Sequence, residues 1–338
     1  MSRVPLAPSA IRPTLDLDAD GVQHGFLRLP HSRDDSAWGA VMIPITVVRN
    51  GDGPTALLTG GNHGDEYEGP IALFKLARTL GAEDVRGRVI IVPAMNYPAF
   101  RAARRVSPID DRNMNRIFPG HPDGSPSERI ADYFERYLVP LADLVLDYHS
   151  GGKTLDFIPL VAVHELDDPD QQRRCIDALC AFNAPYSLIM REIDARGMYD
   201  TAVEAKGKVF VTTELGGAGS ATARSVAIAE RGVRNLLIHA GIVRGRIEPR
   251  PTRWLHMPDG CFVISEHEGL LEPTVDLGDT VEAGQVVGRV HPVARTGDPA
   301  FEYRAALSGI LMARHVPGLM QTGDCLAVVA VPRDAPDF

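Results

Sequence analysis

The sequence predicts an α/β protein, a mixed, largely parallel sheet between helices, followed by a small C-terminal all-β domain. Three observations carry that prediction. Apolar runs of strand length alternate with helical patterns between residues 54 and 243, as expected of a sheet with helices packed on it. After Pro249 the texture changes to short β runs rich in Gly, Pro and Val, without a helical period. The 338 residues are enough for two domains, and the change of texture sets their bounds at 1–249 and 250–338.

Composition narrows the class. Hydrophobic content of 44% and charged content of 23% are those of an ordinary globular protein. A net charge of −9 argues against nucleic acid or an anionic membrane as partner. The apolar runs are too short to span a bilayer, and the first 21 residues have no apolar core of signal-peptide length. Four cysteines, at 175, 180, 261 and 325, form no CxxC pair and read as reduced thiols of a cytoplasmic protein. The sequence is compatible with a homo-oligomer but does not set the number of copies.

Residues 1–20 are Pro-rich and polar, an irregular lead-in. GFLRLP and AVMIPITVVRNG, within 23–50, read as two strands, the second ending in an Asn-Gly turn. Ala56-Leu57-Leu58 is a buried strand that breaks at Gly60-Gly61, and a helix follows over 68–80, with Pro70 in its first turn and Gly81 as its stop. RVIIVPAMN (88–96) is a buried strand. Residues 97–124 read as a long loop dense in Arg, Asp and Asn, held in order by Ile109, Met114, Ile117 and Phe118. Ser125, Pro126 and Glu128 form a capping box that starts a helix running to about Leu141. A strand is expected within 141–152, a surface helix over 168–182, a short strand over 186–193, a buried strand over 207–217 and a long amphipathic helix over 222–243.

The chemistry concentrates at strand ends. In PTALLTGGNHGDEYEGP (54–70), His63 and Glu66 occupy the turn between a strand and a helix, where open α/β sheets place ligands. HxxE arises by chance in many proteins, but an imidazole and a carboxylate on a glycine-rich turn can face one ion. A catalytic zinc takes three protein ligands and keeps one position open, so a third ligand is required. His149, at the end of LVLDYH and before Ser150-Gly151-Gly152, is delivered to the same edge of the sheet. Its bland alternative is a structural histidine. His121, His164, His239, His267, His291 and His315 lack such placement and read as surface or packing residues.

Glu214 ends the strand VFVTTE ahead of Leu215-Gly216-Gly217. It is either a turn cap or the non-ligating base that metal-assisted hydrolysis needs. In the long loop, Asn115-Arg116 follows Arg101, Arg104 and Arg105. One guanidinium there could grip a carboxylate through two parallel hydrogen bonds, and another could face a developing oxyanion. The alternative is a solvated basic loop paired with Asp110 and Asp111.

GGNHGDEYEG, NMNRIFPG, LVLDYHSGG and TTELGG occur in that order. Together they resemble the succinylglutamate desuccinylase/aspartoacylase family, relatives of the zinc carboxypeptidases, and the resemblance covers the whole chain. It implies a zinc-carboxypeptidase-like fold with zinc held by His63, Glu66 and His149, Glu214 as general base, and Asn115 and Arg116 as the carboxylate-binding pair. It also implies a carbonyl-polarising arginine shortly before that pair; the spacing here differs from that of several members, and Arg105 is taken for the role, with Arg104 as the alternative. GFLRLPHSRDDSAWGAVMIPIT, SPIDDRNMNR, FNAPYS, GMYDTA and GKVFVTTELGG are most similar to the branch that deacetylates N-acetylated diaminobutyrate in ectoine breakdown. In the C-terminal domain, GLLEPTVDLGDTVEAGQVVGRV and AALSGILMARHVPGLMQTGDCLAVV are similar to biotinyl and lipoyl carrier domains. Such carriers need a lysine at a hairpin tip, and residues 250–338 contain none, so a fixed role beside the active site is expected.

The resulting expectation is a zinc amidohydrolase, one ion per chain, that removes the acetyl group from a small N-acetylated amino acid. The rival substrates are acetylaspartate and succinylglutamate, whose extra carboxylates would want extra cationic contacts. A peptide-cleaving carboxypeptidase is a further rival, which the C-terminal domain should oppose by narrowing the mouth. A metal-binding module without turnover is the rival from another class, and it has no need of Glu214.

Overall fold

Alternating burial along two long strands opens the fold. In the computed structural model, which describes residues 7–191 and 195–336, a two-residue strand β1 (Arg12–Pro13) pairs with β2 (Gly21–Pro30). β2 in turn pairs antiparallel with β3 (Ala40–Asn50), from Gly21 opposite Arg49 to Pro30 opposite Ala40. The lead-in expected over 1–20 falls partly outside the described residues. Fully buried β4 (Thr55–Thr59) leads into α1 (Glu68–Thr79), and β5 (Gly87–Val92) into α2 (Tyr97–Ala102).

The segment 97–124 is thus not one long loop. Pro98 in the first turn favours α2, and the Asn113 side chain accepts from Asn115 N to cap a 3-10 turn over Met114–Arg116. α3 (Pro126–Tyr133) starts at the expected capping box, with Ser125 N donating to Glu128 Oε2 at 2.7 Å, and continues through Phe134–Leu138 and Val139–Leu141.

After β6 (Leu144–Asp147) come β7 (Leu155–Phe157) and β8 (Leu160–His164), then α4 (Pro169–Phe182), β9 (Tyr186–Met190), α5 (Tyr199–Glu204), β10 (Val209–Glu214) and α6 (Ala223–His239). The strand expected to 193 reaches Met190, and residues 192–194 lie outside the described residues. The remaining strands are β11 (Arg253–His256), β12 (Phe262–Ile264), β13 (Gly269–Pro273), β14 (Thr280–Val281), β15 (Val286–His291), β16 (Phe301–Arg304), β17 (Gly309–His315), β18 (Leu319–Met320) and β19 (Cys325–Arg333).

The main sheet runs β1-β2-β3-β5-β4-β6-β10-β8-β9-β11-β19-β17-β14. Its pairing is mixed. The parallel pairs are β4·β5, β4·β6, β6·β10, β8·β9 and β9·β11, whereas β2·β3, β3·β5 and β8·β10 are antiparallel. The chain passes from β6 to β8 without a crossover helix, so β8 must run opposite to β6. The consequence for function is that β4, β6 and β10 lie side by side and parallel, and end at one edge.

The two faces of this sheet carry separate cores. α1, α4 and α6 pack over Leu58, Leu146, Val163 and Val211 on one side. α3, with Tyr199 of α5, packs over Ile45, Leu57, Ile90 and Val145 on the other. Strands of residues 250–338 join the sheet at two places, through β9·β11 and through β7·β17, with Phe157 opposite Ala313. A shared core, including Leu160, Leu188, Leu255, Ile310 and Met312, fills the junction. A second sheet, β16-β15-β13-β18, closes a core around Val281, Val290, Leu311 and Val329.

Tyr148, just beyond β6, ties the strand edge to the helical layer. Its ring is buried and its hydroxyl donates to Ala229 O of α6 at 2.7 Å. Tyr148→Phe is expected to lower stability by about 1 kcal/mol through loss of that bond. Tyr148→Ala should lower it by about 3–5 kcal/mol through the cavity left behind. Urea unfolding measures both; equal midpoints for the two variants would refute the assignment.

Candidate functional site

The turn after β4 is fixed on both sides before it presents any side chain. Met95 N donates to Gly60 O at 2.9 Å, and Gly64 N donates to Arg104 O at 2.9 Å. Gly64 lies so close to α2 that a Cβ there would fall 2.0 Å from Ala99 C, so no side chain fits. His63 and Glu66 are thereby aimed inward, 3% and 2% exposed.

The ends of β6 and β10 are laced together just beyond their last residues. Thr213 Oγ1 accepts from His149 N at 3.2 Å and donates to His149 O at 3.1 Å, and Gly151 N donates to Gly216 O at 2.9 Å. This brings His149 and Glu214 to the same place. His149 lies two residues past the strand, not on it.

Three of the expected residues meet. Glu66 Oε1 is 2.7 Å from His63 Nδ1, and Glu66 Oε2 is 3.0 Å from His149 Nδ1. One ligand atom from each of the three residues lies within 4.8 Å of the others, a set able to hold a metal ion. The far nitrogens are also engaged. His63 Nε2 is 3.2 Å from Asn113 Oδ1, and His149 Nε2 is 2.9 Å from Asp147 Oδ2. An acceptor on the far nitrogen fixes the tautomer that leaves the near nitrogen free to coordinate. Two imidazoles and a carboxylate, so oriented, fit a zinc ion.

Asp147 and Asn113 are residues that sequence reasoning missed. Asp147 is buried and also accepts from Thr59 Oγ1 at 2.7 Å and from Asn62 Nδ2 at 3.0 Å. Its signal was present in the sequence as an acidic residue ending an apolar strand, two positions before a histidine.

Burial and charge compete at each group. Burial pushes Glu66 up, but His63 and His149 together outweigh it and hold the carboxylate well below its ordinary range. Burial lowers His63, and the pull of Glu66 does not restore it. Burial also disfavours the His149 cation, yet Glu66 and Asp147 raise it well above the usual imidazole value. Glu214 is pushed up to about 8 by burial first and by repulsion from Glu66, against the pull of His149 and Arg105. Its Oε2 is buried without a hydrogen-bond partner among the described residues.

A cavity of about 290 Å³ opens on this cluster. Glu214, Arg105, Asn115 and Arg116 line it beside His63, Glu66 and His149. Arg105 Nη1 is 3.8 Å from Glu66 Oε1, whereas Arg104 turns away to Asp111 at 3.4 Å. Asn115 Oδ1 accepts from Tyr199 N at 2.8 Å, which leaves its amide NH₂ as the group for a ligand. Arg101 is exposed on α2 and does not line the cavity.

Residues 52–240 match the model of the succinylglutamate desuccinylase/aspartoacylase catalytic domain. The N-alpha-acetyl-L-2,4-diaminobutyric acid deacetylase of Halomonas elongata is 60% identical over 326 residues, 96% of this chain and 95% of that protein. The product-bound structure of the ectoine utilization protein EutE (DoeB) of Ruegeria pomeroyi has a TM-score of 0.95 at 62% identity, covering 96% of this chain and 99% of that one. A succinylglutamate desuccinylase/aspartoacylase of Rhodobacter sphaeroides has a TM-score of 0.92 at 40% identity, covering 96% of this chain and all of that one (100%).

Two predictions follow from the geometry of the cluster. Asp147→Asn should weaken zinc affinity about 10- to 100-fold, read by competition with a chromogenic chelator, because His149 loses its ionised partner. Unchanged affinity would remove Asp147 from the site. Metal binding must also displace the proton that Glu66 and Asp147 hold on His149. Zinc affinity should therefore climb as pH rises through neutrality, and calorimetry in buffers of different ionisation enthalpy should detect proton release at pH 7. Binding without proton release would contradict a protonated His149.

Proposed function

The chain belongs to the succinylglutamate desuccinylase/aspartoacylase family, and on that premise we propose that it is a zinc-dependent deacetylase of N-alpha-acetyl-L-2,4-diaminobutyrate in the breakdown of ectoines, yielding acetate and diaminobutyrate. The observation that carries the reading is the convergence of His63, Glu66 and His149 beneath a cavity that Glu214, Arg105, Asn115 and Arg116 also line. The 60% identical deacetylase supports the choice of substrate.

His63, Glu66 and His149 would hold one zinc ion per chain. When bound, zinc supplies a Lewis acid and lowers the pKa of water toward about 7. The remaining work falls to the chain's own side chains. Arg116 grips the substrate's α-carboxylate through its guanidinium, and the Asn115 amide donates to the same group. Arg105 faces the acetyl oxygen and stabilises the negative charge that gathers there as the carbon becomes tetrahedral. Glu214 takes a proton from the attacking water and hands it to the nitrogen as the C–N bond breaks. The water oxygen leaves in acetate, and both of the water's protons, the one Glu214 carries and the one left on the tetrahedral carbon's hydroxyl, end on the diaminobutyrate amine as it leaves as ammonium.

Glu214, raised by burial and by Glu66, would be favoured in its ionised form, the form a base needs, by a cation held at His63, Glu66 and His149.

Residues 1–249 form the catalytic unit in this reading. Residues 250–338 form an appended biotinyl/lipoyl-like unit that carries no swinging arm, since it has no lysine to bear one. Its β17 backs the strand carrying Leu155 and Phe157, which line the cavity. This supports a bracing role, and a mouth too narrow for peptides. No helix is long and apolar enough to cross a membrane among the described residues, and the free thiols agree with a cytoplasmic setting.

The direct test is acetate release from N-acetyl-2,4-diaminobutyrate, which should stop on chelation and return with zinc. Equal rates with and without chelator would take the metal out of the mechanism. Glu214→Gln should retain zinc and lose about 10²- to 10⁴-fold in kcat. If that variant loses its zinc instead, Glu214 is a ligand and not the base.

A further inference from the structure

Among the described residues, and the histidines aside, the ionisable side chains lining the cavity are Glu66, Glu214, Arg105, Arg116 and Asp200. The reaction above uses the first four and leaves Asp200 without a part. We infer that Asp200 is the specificity residue that receives the distal ammonium group of the substrate, an inference that rests on the deacetylase reading.

Asp200 stands in the first turn of α5 and is 7% exposed. Its Oδ1 accepts from Thr201 N and from Thr201 Oγ1, the latter at 3.1 Å. The start of α5 is built onto the carboxylate-binding pair. Tyr199 N donates to Asn115 Oδ1 at 2.8 Å, and Phe118 N donates to Gly197 O at 2.9 Å. Gly197 lies so near Arg116 that a Cβ would fall 2.3 Å from Arg116 O, and its φ of +72° favours glycine in any case. The buried Tyr199 ring packs on Phe118, Phe134 and Phe210 with centroids 4.8, 6.1 and 6.1 Å away. Asp200 and the Asn115-Arg116 pair are thus held at a fixed separation.

That arrangement matches one kind of ligand. In N-acetyl-2,4-diaminobutyrate a carboxylate and an ammonium group sit on one short chain, with three carbons between the carboxylate carbon and the distal nitrogen. Arg116 and Asn115 would take the first group and Asp200 the second. Met190, Met198, Leu155, Phe157 and Ala162 supply apolar wall for the methylenes. Of the other described carboxylates in the lining, Glu66 lies between two histidines and Glu214 carries the proton in this reading. Thr154, Thr212 and Ser150 are neutral. A buried carboxylate also repels the side-chain carboxylate of acetylaspartate or succinylglutamate, so the same residue admits one substrate class and rejects the other.

The test compares N-α-acetyl-L-2,4-diaminobutyrate with N-acetyl-L-norvaline, in which a methyl group replaces the ammonium. Both are given to the zinc-loaded wild type and to Asp200→Asn, which keeps an acceptor for Thr201. The wild type should prefer the ammonium substrate, and the variant should lose about 10- to 100-fold in kcat/KM on it. On the norvaline derivative the variant should stay within about 2-fold of wild type, which also shows that it is folded. Equal losses on both substrates would make Asp200 merely structural, and no loss on the ammonium substrate would remove it from the site.

Calorimetric binding of free L-2,4-diaminobutyrate and L-norvaline to the same proteins separates this inference from the reading beneath it. Asp200-dependent binding of diaminobutyrate without turnover of its acetyl derivative sinks the deacetylase reading and keeps the subsite. Turnover with no dependence on Asp200 in rate or binding does the reverse.

Discussion

One buried carboxylate governs the site. Glu66 faces His63 Nδ1 with one oxygen and His149 Nδ1 with the other, and Ser150 N donates to it at 3.1 Å. A charge so far from water is costly unless it is paired and hydrogen-bonded, and here each partner is itself restrained. Asn113 holds the far nitrogen of His63, and Asp147 holds that of His149. Asp147 is in turn held by Thr59 and Asn62. The network joins the turn after β4, the end of β6 and the loop after α2. It can form only if β4 and β6 end together, as their parallel register from Ala56 opposite Leu144 to Thr59 opposite Asp147 requires.

This explains which parts of the molecule were legible in the sequence. Strands β4, β6 and β10 are short apolar runs closed by glycine, and their ends carry His63, Glu66, His149 and Glu214. Apolar runs and turn residues are local signals, and a parallel arrangement gathers such ends at one edge. Which strands run antiparallel was not legible, because that is set by whether a connection crosses over the sheet. The β6–β8 connection does not, so the sheet is mixed. β8 rests on the apolar run Leu160-Val161-Ala162-Val163, whereas β7 has no such run of its own. β7 has only three residues and owes its strand form to pairing with β17, far along the chain.

Asn113 and Asp147 were missed for a related reason. Each acts on a histidine brought near by folding, and although Asp147 closes an apolar strand two positions before His149, its hydrogen bond to the ring is visible only in the fold. Arg104 and Arg105 are neighbours in sequence and indistinguishable by type. The bond from Gly64 N to Arg104 O and the opposite turn of the two side chains separate them, sending Arg105 to the cluster and Arg104 to Asp111. Such a distinction depends on backbone direction after α2, which ends at Ala103 in a left-handed conformation with φ of 49°.

The cavity also shows how a shared metal chemistry can coexist with different substrates in one family. The groups proposed to bind metal and move protons sit on strand ends of the main sheet, where packing on both faces leaves little room to vary. The wall that would meet the substrate's side chain is supplied separately, by α5, by Met190 at the end of β9, and by Leu155 and Phe157 on β7. β7 is backed by a strand of the C-terminal region, and β9 pairs with another. The wall and the metal cluster lie on different elements, and β7 is tied to the cluster's strand ends only through its backbone, Leu155 N donating to Gly151 O at 3.0 Å and Phe157 N to Gly216 O at 3.1 Å, so a side-chain substitution on that wall can alter which substrate is accepted while those bonds stay in place. In this arrangement the selectivity-setting elements are the ones least predictable from local sequence. They are held by long-range contacts, and the chemistry they select is decided elsewhere in the fold.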